Sequence, residues 1–460
     1  MAEAVAKPAD SALPVRELEG ETVAAVATPE PAKTEEAEKH GDDTGSGSGN
    51  DNASQYPPRL YAAGFIEEHI LPRLSNAFVD YFVTEVVAKL PTQFVTMEEI
   101  RAHPDRFRAR IAVDSSPGTG AFPRVADYTL ASETDHALFA VRVYHPDPAE
   151  HGTGPYPVHL NFHGGGFVLG DLQNEAQLCL SMREAGVVVV DVNYRHCPET
   201  IWGKCFEDAW AALIWVRASA DALNIRPDSV SLGGISAGGH ITLVLQQRAR
   251  DEGVPLRLVM PTVPPAAESL FYRYYVDSPY PSFHEFVRAP ILPWTRIQFF
   301  AMQCLASVAD EAGTDDNDDL ETVRAKRLAA LERRWPQQRH LFAPIRTPNW
   351  AGLCEAFVRT AEIDMLRDEG EAYAQKLVEA GTRVTVKRYL GAVHTFMALD
   401  FLPQKRAFDA DSIVALRQAH GLAPLAAHEV EARVTRVLDA VRTQQEKEKA
   451  AKETKGEEVK

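Results

Sequence analysis

Three side chains in this sequence could together move an acyl group. Ser236 lies in Gly234-Ile235-Ser236-Ala237-Gly238, a G-x-S-x-G stretch with an apolar run before it and a helical pattern after it. In that setting the serine occupies a sharp strand-to-helix turn, and the small Gly234 and Gly238 relieve crowding at the elbow. A serine hydroxyl needs a base, and an imidazole base needs an orienting acid. Asp364 follows the apolar run CEAFVRTAEI, and His394 follows RVTVKRYL. The order serine, acid, histidine is the one this strand-turn-helix arrangement carries. Asp368 and Glu369 stand nearby as alternatives for the acid.

A fourth element is glycine. In LNFHGGGFVLGD, Leu160 to Asp171, a short apolar run enters His163-Gly164-Gly165-Gly166. Glycine weakens regular structure but lets backbone approach closely. An acyl-transfer site needs N–H donors aimed at a developing oxyanion. Gly165, Gly166 and Ala237 are assigned as those donors, with His163 and Gly164 bracing the loop.

Elements must place these groups. ADYTLAS and HALFAVRVYHP read as a hairpin around a polar turn. VHLNF, GVVVVDVNY, SVSLGG, LRLVMPTVPP, CEAFVRTAEID and RVTVKRYL read as further strands, and the nearly continuous apolar GVVVVDVNY suits a strand buried on both faces, as in a parallel sheet. EAQLCLSMREAG, FEDAWAALIWVRASADAL, HITLVLQQRAR and EGEAYAQKLVEAG carry helical spacing between them. The alternation predicts an α/β fold: a mostly parallel central sheet with helices on both faces. Site residues then fall at C-terminal strand ends, where open α/β sheets bind ligands.

The expected division runs as follows. Residues 1–57 form an acidic tail rich in Ala, Pro and Gly, without the means to build a core. Residues 58–123 form an N-terminal helical cap or lid segment. The core occupies 124–265 and 348–445, the second part ending in a helix around ARVTRVLDAV that closes the domain or pairs with another chain. Residues 266–347 form an inserted, largely helical, aromatic-rich subdomain, and 446–460 a charged tail. Phe271, Tyr272, Tyr274, Tyr275, Phe283, Phe286 and Trp294 are expected either to line a pocket or to fill that subdomain's core.

Composition narrows the function classes. The 460 residues carry a formal net charge of -17, with no long basic patch, which argues against a nucleic-acid partner. Five cysteines at irregular spacing, an odd number, form no disulfide framework. The first residues lack the apolar segment of a signal peptide, and no apolar run is long enough to span a bilayer. A cytoplasmic protein without stable membrane insertion is expected. No phosphate-cradling loop of the G-x-x-x-x-G-K-[ST] type and no HExxH occur. Asp315, Asp316, Asp318 and Asp319 lack the pattern of a calcium loop. No metal and no cofactor are expected.

HGGGF, GxSAGG, the acidic stretch Asp364 to Gly370 and the late His394 together resemble the hormone-sensitive-lipase branch of the α/β-hydrolases, with its carboxylesterases and arylacetamide-deacetylase-like enzymes. The resemblance covers about residues 125–400 and the cap segments. Tyr194-Arg195-His196-Cys197-Pro198-Glu199 is similar to that branch's YRLAPE, and two central residues differ. The resemblance implies metal-free hydrolysis of small or medium uncharged esters through a covalent acyl-enzyme, and it admits a homodimer. An amide, lactone or thioester would present the same carbonyl to the same groups. A ligand-binding protein on the same fold is the alternative of a different class, and the retained His394 weighs against it. Ile235 stands where the branch commonly has an acid, and His240 where it often has asparagine. The stretch between Ser236 and Asp364 is longer than is usual there.

Overall fold

The computed structural model describes residues 65–88, 97–102, 122–315, 317–336 and 338–454. The tail 1–57, parts of 58–123 and residues 455–460 lie outside the described residues.

Eight strands form one sheet. They are β1 (Val125–Ala131), β2 (Leu138–Tyr144), β3 (Tyr156–Phe162), β4 (Val188–Asn193), β5 (Ile225–Ile235), β6 (Leu258–Thr262), β7 (Ala356–Ile363) and β8 (Val384–Val393). Their order across the sheet is β1-β2-β4-β3-β5-β6-β7-β8. β1 and β2 form the antiparallel hairpin, and β2 also runs antiparallel to β4. From β4 to β8 every pairing is parallel. β3 and nearly all of β4 are buried, which is why their sequences are apolar runs with little alternation.

The longer helices are α1 (Ala176–Arg183), α2 (Lys204–Ala218), α3 (Ala237–Asp251), α4 (Trp294–Ala306), α5 (Leu320–Arg334), α6 (Arg367–Glu379), α7 (Pro403–Ala419) and α8 (Ala427–Thr454). α3 packs over β5 and β6, and α6 over β7. α1, α7 and α8 pack on one another. The run ARVTRVLDAV belongs to α8 and buries Val434, Val437, Leu438 and Val441 within its own chain. It packs on α1 and α7 of the same chain.

Two segments depart from the sheet-and-helix alternation. Near the N-terminus, Pro72 sits in a single 3-10 turn, Leu71–Arg73. A short helix, Asn76–Tyr81, follows, with Ser75 accepting from the Phe78 amide as its cap, and then a π-helical turn, Phe82–Val87. The apolar spacing predicts one or two amphipathic helices here, and Phe78, Val79, Phe82 and Val83 are buried. Between β6 and β7 lie α4, α5 and several short turns. Arg73 joins the two segments to the core: it bonds Glu285 of the insertion at 2.6 Å and Glu362 of β7 at 2.7 Å.

Candidate active site

The chain leaves the sheet at four C-terminal strand ends, and each exit carries one expected site residue. His163 follows β3, Ser236 follows β5, Asp364 follows β7 and His394 follows β8. Parallel pairing puts these ends on one edge of the sheet, so residues up to 231 positions apart in sequence, 163 to 394, meet in space.

Ser236 sits at φ +54° and ψ −115°, a left-handed conformation costly for any residue with a Cβ. The neighbours explain how it is held. A Cβ on Gly238 would lie 1.8 Å from the Phe162 carbonyl oxygen, and one on Gly234 would lie 2.4 Å from Gly238 backbone. Only glycine lets β3, β5 and α3 close this tightly around the turn. The Ser236 amide donates to the Thr262 carbonyl at 2.9 Å, tying the elbow to β6.

The Ser236 hydroxyl lies 2.9 Å from His394 Nε2, to which it can donate. His394 Nδ1–H donates to Asp364 Oδ2 at 2.8 Å. Asp364 is fully buried, and its other oxygen accepts the Leu366 amide at 3.0 Å. The alternative acids are engaged elsewhere. Asp368 pairs with Arg367 and accepts the Ser282 amide, and Glu369 accepts the Ala266 amide. The arrangement is a proton path from a hydroxyl to an imidazole whose tautomer is set by a carboxylate.

The glycine loop turns sharply beside it. Gly165 has φ +127° and Gly166 φ +63°. A Cβ at 165 would strike the Leu169 carbonyl at 2.0 Å, and one at 166 the Phe300 ring at 2.2 Å. Among the described residues, the amides of Gly165, Gly166 and Ala237 donate to no acceptor. Gly164 differs. Its N–H donates to Glu175 Oε1 at 2.7 Å. His163 is buried; its Nδ1–H donates to the Gly164 carbonyl at 2.8 Å, and its ring stacks on Tyr194 at 4.4 Å. The Tyr194 hydroxyl donates to the His163 carbonyl at 2.7 Å. Burial pulls the His163 pKa down, so the ring stays neutral.

Glu175 is the residue that sequence reasoning passed over. It stands at the N-cap of α1, eleven positions after the amide it holds. Its Oε2 accepts from Asn161 Nδ2 at 2.9 Å, and the same amide nitrogen donates to Asp191 at 2.9 Å. Burial, then the nearby Asp191 charge, raises the Glu175 pKa to about 8. Burial likewise raises Asp191 to about 7. The one available signal was an acidic side chain opening an otherwise apolar helix just after the glycines.

A cavity of about 110 Å³ opens at this edge. Ser236, His394 and Gly164 to Gly166 line it, with Ile235, Ile291, Leu292, Phe300 and Met397 as apolar wall. None of the seven aromatic residues singled out from the insertion is on that wall. Phe283, Phe286 and Trp294 are buried in the core, and Tyr274 is half exposed. The departure at Ile235 therefore makes the wall apolar. The departure at His240 has a different effect. Its two ring nitrogens lie 2.8 Å from the Pro265 carbonyl and 2.7 Å from the Leu341 carbonyl, joining the elbow helix to the insertion.

Residues 159–398, just over half of the chain, match the family described as the alpha/beta hydrolase fold. The chain belongs to the α/β-hydrolase fold-3 family. The chain is 31% identical to an AB hydrolase superfamily protein of Schizosaccharomyces pombe, over 60% of this chain and 74% of that one. Esterase LipI of Mycobacterium tuberculosis is 30% identical, over 71% of this chain and 92% of its own. Among solved structures, the carboxylesterase EstE1 from a metagenomic library matches with a TM-score of 0.57 and 27% identity, over 72% of this chain and 99% of that chain. All four strand exits of this α/β-hydrolase fall inside the matched span.

Among the described residues one cluster, Glu150, His151 and Glu184, has metal-ligating atoms within 4.8 Å of one another. Arg433 and Arg436 already neutralise it. Of the insertion's aspartates, Asp318 pairs with Lys326 and Asp319 caps α5, while Asp316 lies outside the described residues. No helix among the described residues is long and apolar enough to cross a membrane.

Proposed function

We propose that this α/β-hydrolase is a serine carboxylic-ester hydrolase of the hormone-sensitive-lipase-like branch, acting through an acyl-enzyme. The observation that carries it is the unbroken chain Ser236–His394–Asp364, with contacts of 2.9 and 2.8 Å. The esterase and carboxylesterase names of its relatives support the bond type.

Ser236 Oγ attacks the ester carbonyl carbon while His394 Nε2 takes the hydroxyl proton. Asp364 stabilises the imidazolium that forms. The carbonyl electron pair moves to oxygen, and the free amides of Gly165, Gly166 and Ala237 receive that charge. Each such donor contributes about 2.7–4 kcal/mol to the barrier reduction. Collapse breaks the bond to the alcohol oxygen, which leaves with the proton from His394. Water then repeats the sequence against the acyl-serine and releases the acid. His163, Gly164 and Glu175 hold the loop rather than move protons.

The same reading takes the chain as two core parts, 124–265 and 348–445, with 58–123 and 266–347 set over the mouth of the site. It holds 1–57 and 446–460 to be tails without a site. A cavity of about 110 Å³ suits a short acyl or small alcohol group. The five unbridged cysteines fit a reducing compartment such as the cytoplasm. A homodimer is part of the proposal through the branch alone.

The test is covalent labelling with an organophosphonate, the adduct being located by mass spectrometry, with Ser236→Ala as control. An adduct on Ser236 and loss of ester turnover in the control are expected. A folded protein labelled elsewhere, or an active Ser236→Ala variant, overturns the mechanism.

A further inference from the structure

The residues lining the active-site cavity include a cation that the hydrolytic steps leave unused. Arg296 lies in the first turn of α4 and lines the same cavity as Ser236 and His394. Its neighbours there are Leu292, Phe300 and Met397, and an apolar wall of this kind strengthens any charge it encloses.

Arg296 has no acid to answer it. Among the described residues its guanidinium makes one side-chain hydrogen bond, from Nη1 to the Ile291 carbonyl at 3.1 Å. That bond braces a turn in which Ile291 stands at φ +74°. It uses one of five N–H donors. The first turn of α4 contains no carboxylate. A helix N-terminus is also the less favourable end for a cation, so the helix itself gives no reason for the charge. Several other cations of the insertion pair with carboxylates, Arg273 with Glu321, Lys326 with Asp318, and Arg346 with Glu268, while Arg324 bonds two carbonyls away from the cavity wall. Burial depresses the Arg296 pKa with no carboxylate offsetting it, yet a guanidinium stays charged at neutral pH.

The other charged groups on the cavity wall are committed. Lys405 is held by both oxygens of Asp409, at 2.6 and 2.7 Å. Glu175 is held by the Gly164 amide and by Asn161. Neither bonds Arg296.

We propose that Arg296 makes this site selective for esters whose acyl or alcohol part carries a carboxylate, received by the guanidinium donors left free inside the cavity. The inference rests on the ester-hydrolase reading above and replaces the uncharged esters expected from the family resemblance with anionic ones. A guanidinium meets a carboxylate through two parallel N–H···O bonds, which lysine and neutral side chains do not reproduce.

The test compares two matched ester pairs in wild type, Arg296→Lys and Arg296→Met. One pair puts the charge on the acyl side: the para-nitrophenyl monoester of glutarate against para-nitrophenyl pentanoate. The other puts it on the alcohol side: para-acetoxybenzoate against para-acetoxybenzamide. The readout is the ratio of kcat/KM, anionic over neutral, within each pair. Arg296→Met should lower that ratio about 10- to 100-fold in at least one pair, the range for hydrogen bonds to a charged group. Arg296→Lys should fall between. Equal ratios in wild type and Arg296→Met for both pairs overturn the inference. Binding is read separately by calorimetry on the Ser236→Ala protein, with para-acetoxybenzoate and para-acetoxybenzamide as ligands. Tighter binding of the anion, lost in Ser236→Ala/Arg296→Met, supports the inference even if wild type hydrolyses none of the esters, an outcome that defeats the ester reading alone. Equal binding of the two ligands to both proteins counts against Arg296.

Discussion

Replacing Glu175 with glutamine should slow the chemical step without touching Ser236, His394 or Asp364. The carboxyl accepts two hydrogen bonds, from the Gly164 amide at 2.7 Å and from Asn161 at 2.9 Å. Glutamine keeps the size but turns one acceptor into a donor. If its NH₂ faces Gly164, two donors meet beside the glycine loop. If it faces Asn161, two donors meet in β3, two residues before His163. Rotating the Asn161 amide does not help, because its nitrogen also serves Asp191 at 2.9 Å. The variant therefore leaves a buried donor unsatisfied, at a cost of about 1–3 kcal/mol. The loop can relieve that cost by shifting, and any shift carries the Gly165 and Gly166 amides with it. Spent on the barrier, the same energy lowers kcat about 5- to 150-fold. The proposed oxyanion donors would act on the transition state, so KM should change little. The assay is steady-state turnover of a short-chain para-nitrophenyl ester, with thermal melts to show that the variant folds. A folded Glu175→Gln enzyme with kcat within about twofold of wild type, or with the whole loss in KM, would refute the reasoning.

The same carboxyl gives stability a pH dependence. Burial first, then the Asp191 charge, raises its pKa from 4.5 to about 8, so the folded chain binds this proton more tightly than the unfolded chain does. The stabilisation is whole below about pH 4.5 and is lost as pH rises to about 8. Denaturant midpoints should drop across that window, and Glu175→Gln should flatten the curve, leaving the part due to Asp191; an unchanged slope would sink the assignment. Gly238→Ala sets a Cβ 1.8 Å from the Phe162 carbonyl oxygen and should cost about 3 kcal/mol or more in urea melts, whereas a wild-type melt would mean the elbow is looser than described. Lys405 and Asp409 form a buried pair with contacts of 2.6 and 2.7 Å, so Lys405→Met alone should cost about 3–5 kcal/mol, and Lys405→Met/Asp409→Leu should recover most of it. Equal melts for the single and double variants would show that the pair is not coupled.

The parts legible in the sequence are those set by local rules. β4 is a nearly continuous apolar run, and each site residue follows directly on a strand, so the strand ends could be read without knowing their neighbours. Glycine marked the elbow and the loop because no other residue accepts those backbone angles and contacts. Pairings across the sheet were not legible. Glu175 looks like an ordinary polar helix start until β3 and α1 are brought together. Arg296 sits in a segment without a steady period, where spacing does not say which way a side chain points. The same lack of period left the aromatic residues undecided between wall and core; those on the buried side fill the core, and Phe300, not among them, lies on the cavity wall. The choice between Asp364, Asp368 and Glu369 likewise needed the geometry of β7 and β8, because three acids within six positions share one composition.

The imidazole of His394 is delivered by the last strand of the sheet, and the hydroxyl it serves by the fifth. Synthesis from the N-terminus therefore completes the proposed nucleophile well before its proposed base. A copy that stopped before β8 would carry the serine and lack the imidazole that the proposed mechanism sets against it.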